Sequence, residues 1–291
     1  MKNLLLTAAP IFAMVGGLLT PALAAPADKS PGYSRIVSLG GPVTETVFAL
    51  GAGSRVKAVD LSSTYPPAAA ALPKVGYHRA LAAEGILSLA PDLVLGSEDA
   101  GPVTVLDQIR NAKTPVVLVT AEHSVAGAKA KITAIAKTLG LEAQGKELVR
   151  ALEVDLAKAK AVAGKAKSSP RVLFIYARGQ GTLSVSGRKT AADAMITLAG
   201  GVNAVDGYDN YKPLTPEALT AANPDIILLT KGGLESIGGK SGLLEQPGVA
   251  LTPAGKTANI VALDDELLLG FGPRLGLGVL ALSRLLHPEV R

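Results

Sequence analysis

The sequence predicts an α/β protein of two Rossmann-like lobes with parallel sheets, joined by one long helix. Three observations carry that prediction. Short apolar runs alternate with helical patterns in both halves, a Pro-free stretch rich in Ala, Lys, Glu and Leu separates the halves, and one motif recurs at an equivalent place in each.

The chain opens with Lys2 and Asn3 and an uncharged apolar run that ends in Ala22-Leu23-Ala24. A basic start, a short apolar core and a small-residue end predict a cleavable secretory signal over residues 1–24. Pro10, Gly16, Gly17 and Pro21 interrupt the run and argue against a membrane anchor. Its removal takes away one lysine and no acid. The formal charge then falls from +5 to +4, with 28 Lys and Arg against 24 Asp and Glu, and 267 of the 291 residues remain. That length supports two lobes with cores of their own.

In order, residues 35–39 read as a strand, and Val43, Val47 and Leu50 share a helical face that Gly51 closes. Residues 55–59, 93–95 and 116–119 are further short strands. Residues 34–140 thus form an N-terminal lobe. Residues 141–168 are the linking helix, with Leu148, Leu152 and Leu156 spaced four apart and Ser168-Ser169-Pro170 as the stop. Residues 169–291 form the C-terminal lobe, with strands at 172–175, 226–229 and 260–263 and a helix at about 190–198. The recurring motif runs from Glu84 to Pro91-Asp92 and from Glu217 to Pro224-Asp225, with the same Glu-to-Pro spacing and an apolar strand after each Asp.

Composition excludes several classes. There is no Cys, so there is no disulfide framework, cysteine-held metal, thiol nucleophile or lipid-modified N-terminal cysteine. Export then means a soluble periplasmic protein. The cations are dispersed and aromatics are 3% of the chain, which excludes a nucleic-acid partner. The motifs G-x-S-x-G and H-E-x-x-H are absent, so the chain is not read as an enzyme. Gly181 to Thr190 is a poor phosphate loop, because Arg188 stands where such a loop needs its Lys. His78, His123 and His287 are isolated in sequence and read as surface or capping residues.

The segment Leu72-Pro73-Lys74-Val75-Gly76-Tyr77-His78-Arg79 holds the chemistry. In an extended loop, Tyr77 and Arg79 project to the same side. A phenol becomes a useful anion when a cation and a Lewis acid stabilise the phenolate. Arg79 offers the cation and ferric iron the acid, and phenolate is a hard oxygen donor that can hold haem iron. Taken alone, a Tyr beside an Arg is more often a packed loop pair.

The chain resembles the periplasmic haem-binding proteins of bacterial haem ABC importers, the HmuT-type substrate-binding proteins. The likeness is carried in order by residues 35–41 with Thr44-Glu45, by 72–79 leading into 83–95, by 189–201, by 211–219 and by 268–274. It implies the class III periplasmic binding protein fold, a ferric haem b cargo in the cleft between lobes, and delivery of that haem to an inner-membrane ABC permease by a monomer. It implies Tyr77 as axial iron ligand with Arg79 as its hydrogen-bonding neighbour, and leaves Tyr65 as the rival ligand. Some members place a His where this chain has Arg178. A guanidinium is not an iron ligand, so Arg178, with Lys212, is expected to serve a haem propionate. Glu84 and Glu217 match the positions from which this fold docks on the permease. The competing readings are a ferric-siderophore or cobalamin carrier of the same fold, and a secreted hydrolase or lyase.

Overall fold

The computed structural model describes residues 32–179, 181 and 183–290; the expected signal segment 1–24 lies outside them. The first lobe is built on β1 (Ile36–Leu39), β2 (Val56–Val59), a short hairpin of β3 (Gly76–Tyr77) and β4 (Ala80–Leu81), β5 (Leu93–Ser97) and β6 (Val116–Val119). Its main sheet has the order β2-β1-β5-β6 and every pairing is parallel. All four residues of β1 are buried. That is why this strand shows no alternation of apolar and polar residues: a parallel strand covered on both faces has no solvent side, and its one polar residue, Ser38, pairs with the Thr44 hydroxyl at 2.7 Å. Gly40, at φ 100°, turns the chain out of β1 into the helix Gly41–Ala49, a conformation an L side chain rarely adopts.

The second lobe holds β7 (Arg171–Ala177), β8 (Leu183–Ser186), β9 (Val202–Asn203), β10 (Tyr211–Pro213), β11 (Ile226–Thr230) and β12 (Ile260–Leu263). The order is β10-β8-β7-β11-β12, with β9 beside the first residues of β7. Here the expectation of parallel sheets needs correction. The β7-β11-β12 core is parallel, but β8 and β10 are antiparallel additions at one edge. Leu183-Ser184-Val185-Ser186 alternates apolar and polar residues, the pattern of antiparallel strands, although Ser186 is here buried and pairs with the Thr190 hydroxyl.

The recurring motif has a structural counterpart. Asp92 accepts from the backbone N–H of Arg35 at 2.9 Å, and Asp225 accepts from that of Arg171 at 2.8 Å. Each arginine then returns its side chain to the segment that ends or follows the helix before the Asp. Arg35 donates to the carbonyls of Leu89 and Ala90, and Arg171 to that of Ala222. One exchange of bonds thus pins the first strand of each lobe to its neighbour.

Two helices, Val125–Leu139 and Glu142–Lys165, meet at Gly140, which is left-handed at φ 68°. The 24-residue second helix is about 36 Å long at the standard rise. Leu152 is buried on it, with Leu148 and Leu156 partly so. The last helix, Leu275–Leu286, lies so close that a Cβ on Gly276 would meet the Leu152 carbonyl oxygen. One apolar cluster runs from Ala128 and Ile132 of the first lobe, through Leu152 and Ala159, to Phe174, Met195 and Leu282 of the second.

Candidate functional site

A cavity of about 400 Å³ opens between the lobes, lined by residues of both. From the first lobe come Gly40 and Gly41 after β1, Asp99 after β5 and His123 after β6. From the second come Arg178 after β7, Gly232 after β11 and Glu266 after β12. In each sheet, therefore, the loops at the carboxyl ends of the parallel strands face the cleft. Open α/β sheets bind ligands at that end.

The first-lobe wall carries a string of alternating charges. Asp60 is wholly buried and accepts from Gly40 N at 2.8 Å, Ser62 N at 3.0 Å, and the Ser62 and Ser63 hydroxyls at 2.6 Å. The Nδ1 of His78 lies 3.0 Å from Asp60, and its Nε2 lies 3.6 Å from Asp99. Burial alone would lower the imidazole, but hydrogen bonds and charge from the two carboxylates outweigh it and raise His78 to about 9. The imidazolium in turn holds Asp99 below the usual carboxylate range, and Arg79 adds to the effect. Arg79 Nε donates to Asp99 at 2.9 Å, its Nη2 pairs with the same oxygen, and its Nη1 donates to the Tyr77 hydroxyl at 2.9 Å.

Along the second-lobe side of the cavity, the segment after β12 is bonded to the first lobe. Arg274 pairs with Glu45 through both Nε and Nη2, the latter at 3.2 Å, and its guanidinium lies 3.6 Å from the Tyr65 ring centroid. Glu266 accepts from Thr64 N at 3.0 Å and from its hydroxyl at 3.2 Å, while its Oε2 is buried without a partner. Burial is the main cause that raises Glu266 to about 7, and the nearby Glu45 adds to it. Lys131, buried in the first lobe, donates to the Phe271 carbonyl at 3.1 Å and is pushed down to about 8 by that burial.

The expected site residues fall into three places. Tyr77 and Arg79 sit together on the β3–β4 hairpin, half-buried and exposed, with Arg79 in the cavity lining. Arg178 lines the opposite wall, its guanidinium 5.4 Å from the Tyr176 ring centroid. Lys212 is exposed on β10 outside that lining, with Nζ 4.4 Å from the Tyr208 ring centroid. Tyr65 is exposed, its ring against the Arg274 guanidinium and outside the cavity lining. Glu84 and Glu217 are exposed in the first turns of the helices Ala83–Leu87 and Pro216–Ala222, one in each lobe.

The surface-or-cap reading of the histidines fails at His78 alone, since His123 is exposed and His287, though buried, caps the last helix. His78 is buried between carboxylates, and His123 lines the cleft with its ring centroid 5.4 Å from that of Phe271. Asp60, Asp99, Lys131 and Glu266 escaped the sequence reading, because nothing local marks them. The nearest signal was the adjacency of His78 to Tyr77 and Arg79. Among the described residues, no group of three or more His, Asp or Glu could by itself hold a metal ion.

The periplasmic binding protein family model matches residues 36–267. Among solved structures, the periplasmic heme-binding protein RhuT from Roseiflexus sp. RS-1, in apo form, is 46% identical with a TM-score of 0.85, covering 89% of this chain and 100% of that one. The periplasmic heme-binding protein BhuT, in complex with two hemes, is 45% identical with a TM-score of 0.83, covering 88% and 99%. The uncharacterized ABC transporter substrate-binding lipoprotein YvrC of Bacillus subtilis (strain 168) is 28% identical over 261 residues, which is 88% of this chain and 80% of that protein.

Proposed function

The chain belongs to the periplasmic binding protein family, and we propose that it is the substrate-binding component of a haem ABC importer, taking ferric haem into the cleft between its lobes and delivering it to the permease. Support comes from the close likeness to heme-binding relatives along nearly the whole described chain. The observation that carries the site chemistry is the 2.9 Å hydrogen bond to the Tyr77 hydroxyl from Nη1 of Arg79, the member of the pair that lines the cavity. A guanidinium on a phenol oxygen favours the phenolate, and phenolate is a hard donor suited to ferric iron.

In this reading Tyr77 is the axial ligand and Arg79 its hydrogen-bond donor. Arg178 pairs with a haem propionate from the facing lobe. Lys212 contributes positive field from farther out, and Tyr65 packs against Arg274 and does not hold the iron. The exposed Glu84 and Glu217 dock on arginines of the permease, one from each lobe. The protein acts outside the cytoplasm, as a carrier rather than an enzyme, as a monomer and without nucleic acid. Its signal over 1–24 is removed on export. The two lobes are assigned to 34–140 and 169–291, with 141–168 between them.

The test is a haemin titration of the full mature chain, followed by absorption spectrum and stoichiometry, with cobalamin and a ferric siderophore in parallel. Saturable haemin binding with a phenolate-to-iron charge-transfer band, lost in Tyr77→Ala, is the expected result. Preference for cobalamin or siderophore, or an unchanged band in Tyr77→Ala, would overturn the reading.

A further inference from the structure

We propose that Asp99 is the positioning residue for the iron ligand, fixing Arg79 on the Tyr77 oxygen; this rests on the reading of Tyr77 as that ligand. The Arg79 side chain is 55% exposed and stands at the turn of a two-strand hairpin, where an unpaired arginine would sample many rotamers. Asp99 removes that freedom. It engages Nε and Nη2 together on Oδ2, leaving Nη1 as the donor that faces Tyr77. A planar guanidinium gripped at two nitrogens has its third direction set by geometry.

Asp99 is itself placed from the core. It follows β5, not the hairpin, so its contact with Arg79 ties the hairpin to the main sheet. From the other side His78 Nε2 faces the same Oδ2 at 3.6 Å, and His78 Nδ1 meets Asp60, which is locked by four further donors. The order Asp60, His78, Asp99, Arg79 alternates in charge and ends on the phenol. Neighbouring opposite charges therefore hold one another, and a phenolate formed at the end is the one additional negative charge. Ser97, Lys131 and His123 are the other polar or charged groups that act on Asp99.

The consequence is indirect action: Asp99 influences the iron site through Arg79. The experiment uses the full mature chain loaded with haemin, as wild type, Tyr77→Phe, Asp99→Asn, Arg79→Ala and the Arg79→Ala/Asp99→Asn double variant. It reads the phenolate-to-iron charge-transfer band and the rate of haem release to excess apomyoglobin. Asp99→Asn should move the band and speed release by about tenfold, the scale of one charge-assisted hydrogen bond. In the Arg79→Ala background the same substitution should add nothing. An unchanged band and rate in Asp99→Asn, or an equal effect with and without Arg79, overturns the proposal. Tyr77→Phe separates the two levels. A band that survives it overturns the ligand reading, whereas a band lost there but indifferent to Asp99→Asn overturns the positioning role alone. Should Asp99→Asn not hold its fold by circular dichroism, Asp99→Ser at the same site takes its place with the same expectations.

Discussion

Arg274 and Glu45 form an ion pair that crosses from one lobe to the other, with side chains only 22% and 5% exposed. Burial raises the Glu45 carboxyl above its ordinary value, and the Arg274 hydrogen bond and charge act against that rise. Removing one partner of such a pair strands the other charge in a poorly solvated place, at about 3 kcal/mol or more. Arg274→Met should therefore destabilise the protein by ~3 kcal/mol in urea unfolding, and Arg274→Met/Glu45→Gln should recover a large part of the loss. A single substitution costing less than about 1 kcal/mol would show that water already serves the pair.

Stability should fall as pH rises from 5 to 8. Glu266 sits at about 7 against an ordinary 4.5, and His78 at about 9 against 6.5. Both bind protons more tightly in the folded chain. The Glu266 contribution is present below 4.5 and lost as pH climbs to 7; that of His78 is present below 6.5 and lost by 9. Glu266→Gln should flatten the lower part of the melting-temperature profile and His78→Gln the upper part. Lys131 has the opposite sign. At about 8 against 10.5 it returns stability above pH 8. Profiles of variant and wild type that run parallel would refute the assignment.

Two glycines on packed helices should respond oppositely to alanine. At Gly276 a Cβ meets the Leu152 carbonyl and the Asp155 Cβ, so Gly276→Ala should cost ~1–3 kcal/mol. At Gly164, inside the helix Glu142–Lys165, nothing lies within 4 Å, and Gly164→Ala should add up to ~1 kcal/mol. Thermal melts of the two variants are the measurement.

If Glu84 and Glu217 dock on the permease, charge reversal at both should separate uptake from binding. The double variant Glu84→Lys/Glu217→Lys should keep wild-type haemin affinity in solution. In reconstituted vesicles with the cognate permease it should lose most of its transport. Equal transport would remove these residues from the docking surface.

The strands were readable because burial on both faces leaves an apolar signature, as in Ile36–Leu39 and Ile226–Thr230. The repeated Pro-Asp was readable for a different reason. Asp92 and Asp225 do the same local work in two lobes, so the same residues recur at the same spacing. The strands Leu183–Ser186 and Tyr211–Pro213 were missed because neither is a continuous apolar run: the first alternates and the second is exposed throughout. The environment of His78 was beyond sequence altogether. Its partners lie 18 residues upstream and 21 downstream, and they meet it only because strand ends from different parts of the chain converge on one cleft. The Arg79–Tyr77 contact lay within reach, since two residues of one hairpin need no tertiary knowledge to be neighbours.

The apolar cluster that passes through the helix Glu142–Lys165 has a thermodynamic meaning of its own. A helix that merely tethered two bodies would let each melt by itself. Here Ala128 and Ile132 share one desolvated interior with Leu152, Phe174 and Leu282, so neither half can shed its structure without exposing surface belonging to the other. The molecule is then one cooperative unit. It would unfold in a single calorimetric transition, and fragments cut at the junction between residues 140 and 141 would have to find each other before either could become native.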